Sequence, residues 1–310
     1  MKTGKISENI LKRSVLKIIK DNTKSSAAEG SDCAIFCGYV ANEMSDSCGS
    51  HAILRACNNA ASKGMIPVSV SLSVTMPEYM REAKLKKIMS KAVETANAVN
   101  ITIEDGHTET VEGIKCPIIT ATLIAKRGAW KESQVKAGAA IIMTKWAAMS
   151  GAARLAEKYN KELAERYPQF IITDAAALEQ FYSVLPEAAV AVRSGAICMN
   201  DCSDGGVFAA LWQLADSNGV GLEVSLRDIP LRQESVEVCE FFDINPYKLR
   251  SDGAMLIVSD APEELVMELH KQEMPAAVIG KITDGIDRVV VSGEERRFLE
   301  EPRQDEGVML

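Results

Sequence analysis

Asn200 to Gly221, NDCSDGGVFAALWQLADSNGVG, constrains the fold more tightly than any other stretch of this chain. A Gly-Gly pair stands directly before an amphipathic run. In that run Val207, Phe208, Leu211, Leu214 and Ala215 recur at helical spacing, so one face of a helix must be buried. Ser203 or Asp204 can cap this helix by accepting the free amide hydrogens of its first turn. Gly205 and Gly206 allow a close backbone approach, and a helix N-terminus favours an anion such as phosphate. Asp201 and Asp204 offer oxygen ligands that suit Mg²⁺, a hard cation. The plainer alternative is a capped helix after a tight turn, with solvated aspartates, because short Gly-rich strings carry little specificity.

A chain of 310 residues can bury a large core and suggests two domains. Its 47% hydrophobic and 25% charged residues are ordinary for a soluble globular protein. A formal charge of −8 argues against nonspecific nucleic-acid binding, which needs a basic surface. It leaves ATP open, since its phosphates can arrive with Mg²⁺. No run approaches the ~18 apolar residues of a membrane span. The N-terminal stretch lacks a signal peptide's apolar core; Ile10, Leu11, Val15, Ile18 and Ile19 suggest an amphipathic helix instead. The expectation is a cytoplasmic protein with neither nucleic acid nor membrane as partner. Eight cysteines without a short secreted framework read as free thiols. Cys33, Cys37, Cys48 and Cys57 lie near His51 but form no C-x-x-C knuckle, so small buried thiols are expected rather than a zinc site.

Strands and helices alternate along both halves, which implies α/β layers. In the first half, strands are expected at Cys33–Cys37, Val68–Val74, Ile101–Glu104 and Ile118–Ala125, with helices at Gly49–Lys63 and Glu82–Asn97. A linker follows near Gly128–Gly138. The second half reads as strands at Ala140–Thr144, Ala196–Met199, Gly221–Val224, Ala254–Val258 and Ala276–Ile279. Its helices are expected around Gly151–Lys161, at Asp174–Leu185, after the Gly-Gly pair, and at Glu263–Lys271. The stretch after Val291 reads as a loose edge or disorder.

Five segments, in order, resemble those of the aminoimidazole-ribonucleotide (AIR) synthase, or PurM-like, superfamily. Glu29–Ala34 is similar to its G-[DE]-D-[AC]-A turn and Cys57–Gly64 to its N-D-[LI]-A-x-x-G helix. Asp105–Glu109 resembles the G-G-[HD]-T loop, and Asp201–Gly206 the D-x-[ST]-x-G-G segment. Asn245–Leu249 with Ser251–Gly253 resembles the late D-P-x-x-L…[SE]-G element of the HypE-like branch. The likeness spans about Gly4 to Val291. It implies a two-domain α/β (α+β) PurM-like fold: an N-terminal domain at 1–130, a C-terminal α/β domain at 131–292, and a tail at 293–310. It also implies that the N-terminal sheet pairs into a β-barrel across a homodimer, with nucleotide along the groove between subunits and domains.

The same resemblance implies ATP and Mg²⁺ as cofactors and a small-molecule substrate. Asp32, Asp105 and Asp201 are the implied metal ligands. Asn59, Gly106, Thr108, Ser203, Asp204, Gly205 and Gly206 are the implied cofactor-binding residues, and His107 with Asp201 the catalytic pair. Departures from the pattern are plain. Ser31 replaces one acidic residue, Asn59 stands in place of an aspartate, and Asp105 replaces a glycine. A strand ending in Thr-Asp reads as shortened or missing, with Asp46 its substitute in Tyr39–Ser47. Lys145 could reach an anion or simply be solvated, while Trp146 and Trp212 read as core. HypE-type factors react at a C-terminal cysteine. The last cysteine here is Cys239 and the sequence ends in Val-Met-Leu, so the typical HypE reaction is not expected. The implied function is Mg-ATP-dependent activation of a substrate oxygen by phosphoryl transfer. The alternative is a noncatalytic dimeric nucleotide- or metabolite-binding protein with a decayed ATP site.

Overall fold

The computed structural model describes residues 33–35, 39–45, 49–301 and 305–309. Asp32, Ser31, Asp46 and the expected N-terminal helix lie outside these residues. The described residues divide into two compact units, one ending at Lys131 and one beginning at Glu132.

The first unit is a five-stranded sheet with two helices. Its elements are β1 (Cys33–Ile35), β2 (Tyr39–Ser45), α1 (Gly49–Ser62), β3 (Met65–Pro77), α2 (Glu82–Ala98), β4 (Thr102–Val111) and β5 (Ile118–Arg127). The strand order is β1-β2-β5-β3-β4. Alternate residues Val70, Leu72 and Val74 of β3 are buried, as are Ile119, Ala121 and Leu123 of β5, the period-2 signature of a sheet covered on one face. Ala52, Ile53, Ala56, Cys57 and Ala60 of α1 are fully buried at helical spacing. Gly49 lets α1 approach α2 closely, since a Cβ there would stand 2.9 Å from that of Ala92.

Three expectations need correction here. The sheet is open, not a barrel: β1 and β4 are its two edges, and closure would require first and last strands to share hydrogen bonds. The outer edge is carried instead by exposed polar residues of β4, Glu104, Asp105, His107 and Glu109, which discourage further pairing. The strand read as shortened or missing is not missing: β2 occupies that place, seven residues long and paired with β5 from Tyr39 to Ser45. Finally, the expected Asp105–Glu109 loop is part of β4, because β3 runs on to Pro77 and pairs in parallel with it as far as Val111.

The second unit is a seven-stranded mixed sheet. It contains β6 (Ala140–Thr144), α3 (Met149–Lys158), α4 (Asn160–Ala164), α5 (Gln169–Ala177), α6 (Leu185–Arg193), β7 (Cys198–Asp201) and α7 (Gly206–Asn218). There follow β8 (Gly221–Ser225), α8 (Gln233–Phe241), β9 (Met255–Ser259), α9 (Pro262–Lys271), β10 (Ala276–Thr283), β11 (Arg288–Ser292) and β12 (Glu295–Phe298). The strand order is β12-β11-β8-β10-β6-β9-β7. Every residue of β9 is buried, as expected for a central strand. Val207, Leu211, Leu214 and Ala215 of α7 pack with Ile141, Met143, Leu256 and Val258 of the sheet, confirming the amphipathic reading. A second cluster joins Ala152, Leu155, Leu163, Ile172, Val238 and Leu249.

The helix expected over Asp174–Leu185 is instead the end of α5, a short 3₁₀ turn at Leu178–Phe181, and the start of α6. Pro186 lies in the first turn of α6, where its missing N–H costs nothing. The stretch after Val291, read as a loose edge or disorder, holds the end of β11 and the edge strand β12, joined as a hairpin by pairs from Val289–Phe298 to Ser292–Glu295.

Leu211 is fully buried at the centre of this core. Leu211→Ala should cost about 2–5 kcal/mol of unfolding free energy, measured by urea denaturation. Gln213→Ala on the partly exposed side should stay within about 0.5 kcal/mol.

Candidate functional site

Five of the expected site residues converge where β7 ends and α7 begins. Asp201 closes β7, paired with Met255 of β9. The Cys202 amide donates to the Ala254 carbonyl at 2.9 Å, and the Ser203 carbonyl accepts from Gly206 N at 3.0 Å and Ser251 N at 3.4 Å. The Asn200–Gly206 and Ser251–Ala254 segments are therefore laced together by backbone.

Neither expected residue caps α7. The N-cap is Gly205, in left-handed conformation at φ 80°, without a side-chain cap of its own. Its N–H donates to Asp305 Oδ2 at 2.9 Å, a carboxylate from 100 residues away. Gly206 is also left-handed, at φ 66°, and a Cβ there would stand 2.5 Å from the Leu249 carbonyl oxygen and 2.7 Å from that of Tyr247. Phe208 N donates to Tyr247 O at 3.1 Å, and the two rings stack at 5.4 Å. Both glycines are thus explained: only a residue without Cβ takes this backbone and tolerates this approach.

Asp204 turns to Arg250, with Oδ1 at 3.4 Å from Nη2. Arg250 Nε donates to Asp252 Oδ2 at 3.0 Å, and the same carboxylate oxygen accepts from Ser150 Oγ at 2.6 Å. Ser150 Oγ accepts in turn from the Asp252 amide at 2.8 Å. Burial works against the Arg250 charge, yet the combined pull of Asp252, Asp204 and Asp305 outweighs it and keeps the guanidinium firmly protonated. Sequence reasoning found Asp252 within the Ser-Asp-Gly element but missed Arg250, Ser150 and Asp305. Asp305 carries no local signal at all.

The remaining expected residues that are described belong to the first unit. Asn59 is on α1 and buried. Asp105, Gly106, His107 and Thr108 are exposed along β4. Gly106 opposes Leu72, whose carbonyl would be 2.3 Å from an added Cβ, so close strand approach accounts for this glycine. His107 Nε2 lies 3.6 Å from Glu109 Oε2, two residues along the same exposed face.

Lys145 is not solvated, and the anion it reaches is a buried carboxylate of the chain itself, Glu187. Its ammonium donates to the carbonyls of Phe181, Ser183 and Gly253 at 3.0, 2.5 and 3.0 Å, and pairs with Glu187 at 2.8 Å. Both side chains are buried. Burial lowers the Lys145 pKa, and the Glu187 charge opposes that shift. Trp146 stacks edge-on against Phe181 and Trp212 lies under Arg288, packing roles both. Cys57, Cys198, Cys202 and Cys239 are buried thiols, and burial pushes Cys57 and Cys239 up to about 12, far from a nucleophile's range.

Among the described residues no group of three or more His, Cys, Asp or Glu side chains could hold a metal ion. Asp204 is committed to Arg250, so these residues do not form a resident metal cage. Mg²⁺ commonly binds through one or two carboxylates plus substrate phosphates, and Asp201 is the described carboxylate at the turn suited to that role.

The family models decide the relationship. Residues 16–126 match the N-terminal domain of AIR synthase related proteins and residues 136–292 the C-terminal domain. The chain belongs to the AIR synthase related family. Carbamoyl dehydratase HypE of Escherichia coli is 25% identical over 245 residues, 76% of this chain and 70% of that protein. HypE of Rhizobium leguminosarum is 24% identical over 257 residues, 79% of this chain and 71% of its own. Among solved structures, a HypE–HypF complex superposes with TM-score 0.77 at 17% identity, over 94% of this chain and 100% of that one. HypE in complex with ATP gives 0.73 at 15% identity, over 99% and 97%. AaThiL complexed with AMPPCP and TMP gives 0.74 at 16%, over 96% and 99%. These likenesses establish the PurM-like fold of the HypE-like branch. Among the described residues no helix is long and apolar enough to cross a membrane.

Gly206→Ala should lower stability by at least the ~1–3 kcal/mol of a strained backbone position, because its Cβ also meets backbone carbonyls. Gly219→Ala, at φ 64° with open space around it, should cost only about 1–2 kcal/mol. Lys145→Met leaves Glu187 buried and unpaired and should cost about 3–5 kcal/mol, whereas Lys145→Met with Glu187→Leu should recover much of the loss. Thermal and urea unfolding of the four proteins checks both contrasts.

Proposed function

We propose that this protein binds Mg²⁺–ATP and transfers its terminal phosphoryl group to an oxygen of a small substrate, in the manner of its family rather than as a typical HypE. The observation that carries this reading is the Gly205–Gly206 turn, whose amide already holds an anionic oxygen at 2.9 Å at the start of α7. A phosphate oxygen is an acceptor of the same kind, and the helix dipole favours it. The ATP complex of HypE and the AMPPCP complex of AaThiL, both of this fold, support the choice of nucleotide.

In this reading Ser203, Asp204, Gly205 and Gly206 form the phosphate-facing turn. Asp201 holds Mg²⁺ that arrives with the nucleotide, and the ion would neutralise charge on the transferring phosphoryl group. Arg250 keeps Asp204 and Asp252 in place. Asp32, Asp105, Asn59, Gly106, His107 and Thr108 are the proposed contributions of the N-terminal part, with His107 as the candidate acid–base group. We also propose a homodimer, supported by the exposed Ile66, Val68 and Ile124 of the first sheet. The domain limits proposed are 1–130, 131–292 and a tail at 293–310.

A second reading, binding without turnover, is favoured by one observation: Asn59 is buried in α1 and carries no charge to offer a metal. Calorimetric titration of ATP with and without Mg²⁺ tests the shared premise, and a phosphate-release assay separates enzyme from binding protein. Magnesium-dependent binding is expected, and Asp201→Asn should weaken it by about tenfold or more, equivalent to at least ~1.4 kcal/mol. Unchanged affinity in that variant would remove Asp201 from the metal site.

A further inference from the structure

The Gly205 amide is the group that a phosphate would need, and it is already taken. Asp305 is 6% exposed, with Oδ2 bonded to Gly205 N and Oδ1 bonded to Gly307 N, each at 2.9 Å. The next residue is anchored as well. Glu306 Oε2 accepts from Asn245 N at 2.7 Å, and Oε1 stands 3.7 Å from Lys248 Nζ. Gly307 then lies so close to Leu249 that a Cβ would be 2.9 Å from its Cδ1. Glu306 and Gly307 thus dock on the 245–249 loop, the same loop whose carbonyls enclose Gly206, while Asp305 docks on Gly205 itself.

We propose that Asp305–Gly307 is an autoinhibitory plug whose carboxylate occupies the phosphate position of the Gly205–Gly206 turn until the segment is displaced. The inference rests on the reading of that turn as phosphate-facing. A carboxylate and a phosphate present the same thing to an amide: a negatively charged oxygen acceptor. Both cannot bond one N–H, so docking and nucleotide binding exclude each other at Gly205.

The plug is built to be displaced. Burial raises the Asp305 carboxyl above its usual range despite the Gly205 and Gly307 amides and the Arg250 charge, and Asp204 repels it further. The carboxylate is therefore held at a net desolvation cost. Arg250 is shared with Asp204 and Asp252, which remain to neutralise it when Asp305 leaves. A phosphate chain carries more charge and more acceptor oxygens than one carboxylate, and so competes favourably for the same turn.

The test is calorimetric titration of Mg²⁺–ATP into the full chain, Asp305→Ala and Glu306→Ala. The first variant removes the competing acceptor; the second loosens the segment without touching Gly205. If the plug is seated nine-tenths of the time, its loss should lower the apparent Kd about tenfold. A peptide of residues 301–310 added to Asp305→Ala should reverse the gain, and the same peptide carrying Asp305→Ala should not. Equal affinity in all three proteins, each shown folded by thermal melting, would overturn the plug and leave the phosphate-facing turn standing. No ATP binding by any of them would overturn that reading of the turn, and the plug with it.

Discussion

The buried ammonium of Lys145 is the interaction on which the second unit depends. It draws the carbonyls of Phe181, Ser183 and Gly253 and the carboxylate of Glu187 around one charge, joining segments as far apart in sequence as 108 residues. Lys145 and Ala148 both take left-handed backbone, at φ 53° and 62°, to make this corner at the end of β6. That strain is offset by bonds from Lys145 N to Pro275 O, Ala147 N to Pro230 O and Ala148 N to Ser251 Oγ. Removing the charge would release the loop that presents Ser251, Asp252 and Gly253.

From that corner a chain of dependence leads to the candidate site. Gly253, at φ 99°, has no room for a Cβ against the Phe181 carbonyl at 2.4 Å. Its carbonyl binds Lys145, and the residue before it, Asp252, holds Arg250 and Ser150. Arg250 then faces Asp204, one residue before the Gly-Gly turn. An electrostatic knot of this kind contributes less by net stability than by fixing geometry, because each charge has been desolvated to make it. Its consequence is that Asp204 is a positioned acceptor for a guanidinium.

Legibility followed the range of the interaction. The α7 stripe was readable because Val207, Leu211, Leu214 and Ala215 carry their own periodicity, and the turn before it because two glycines announce a backbone that other residues avoid. Lys145 was unreadable as a buried charge, since its acceptors are backbone carbonyls of residues that any sequence would supply. Gly106 was legible as the glycine of a loop motif but not as a strand residue. What makes it necessary is the Leu72 carbonyl of β3, and nothing within Asp105–Glu109 indicates that β3 runs on far enough to pair there.

The sequence by itself determined the two α/β halves, the buried face of α7 and the Gly-Gly turn, because periodicity and backbone sterics act between near neighbours; the family was legible separately, as a resemblance of five segments in order. Only the tertiary structure decided which carboxylate serves which partner. Asp204 went to Arg250, Asp305 went to Gly205, and the first sheet stayed open with β4 at its edge. Those outcomes depend on which distant groups are brought within hydrogen-bonding distance after the chain has packed. A charge's partner is set by that distance and by the surrounding loss of water, and neither is written in the local order of residues.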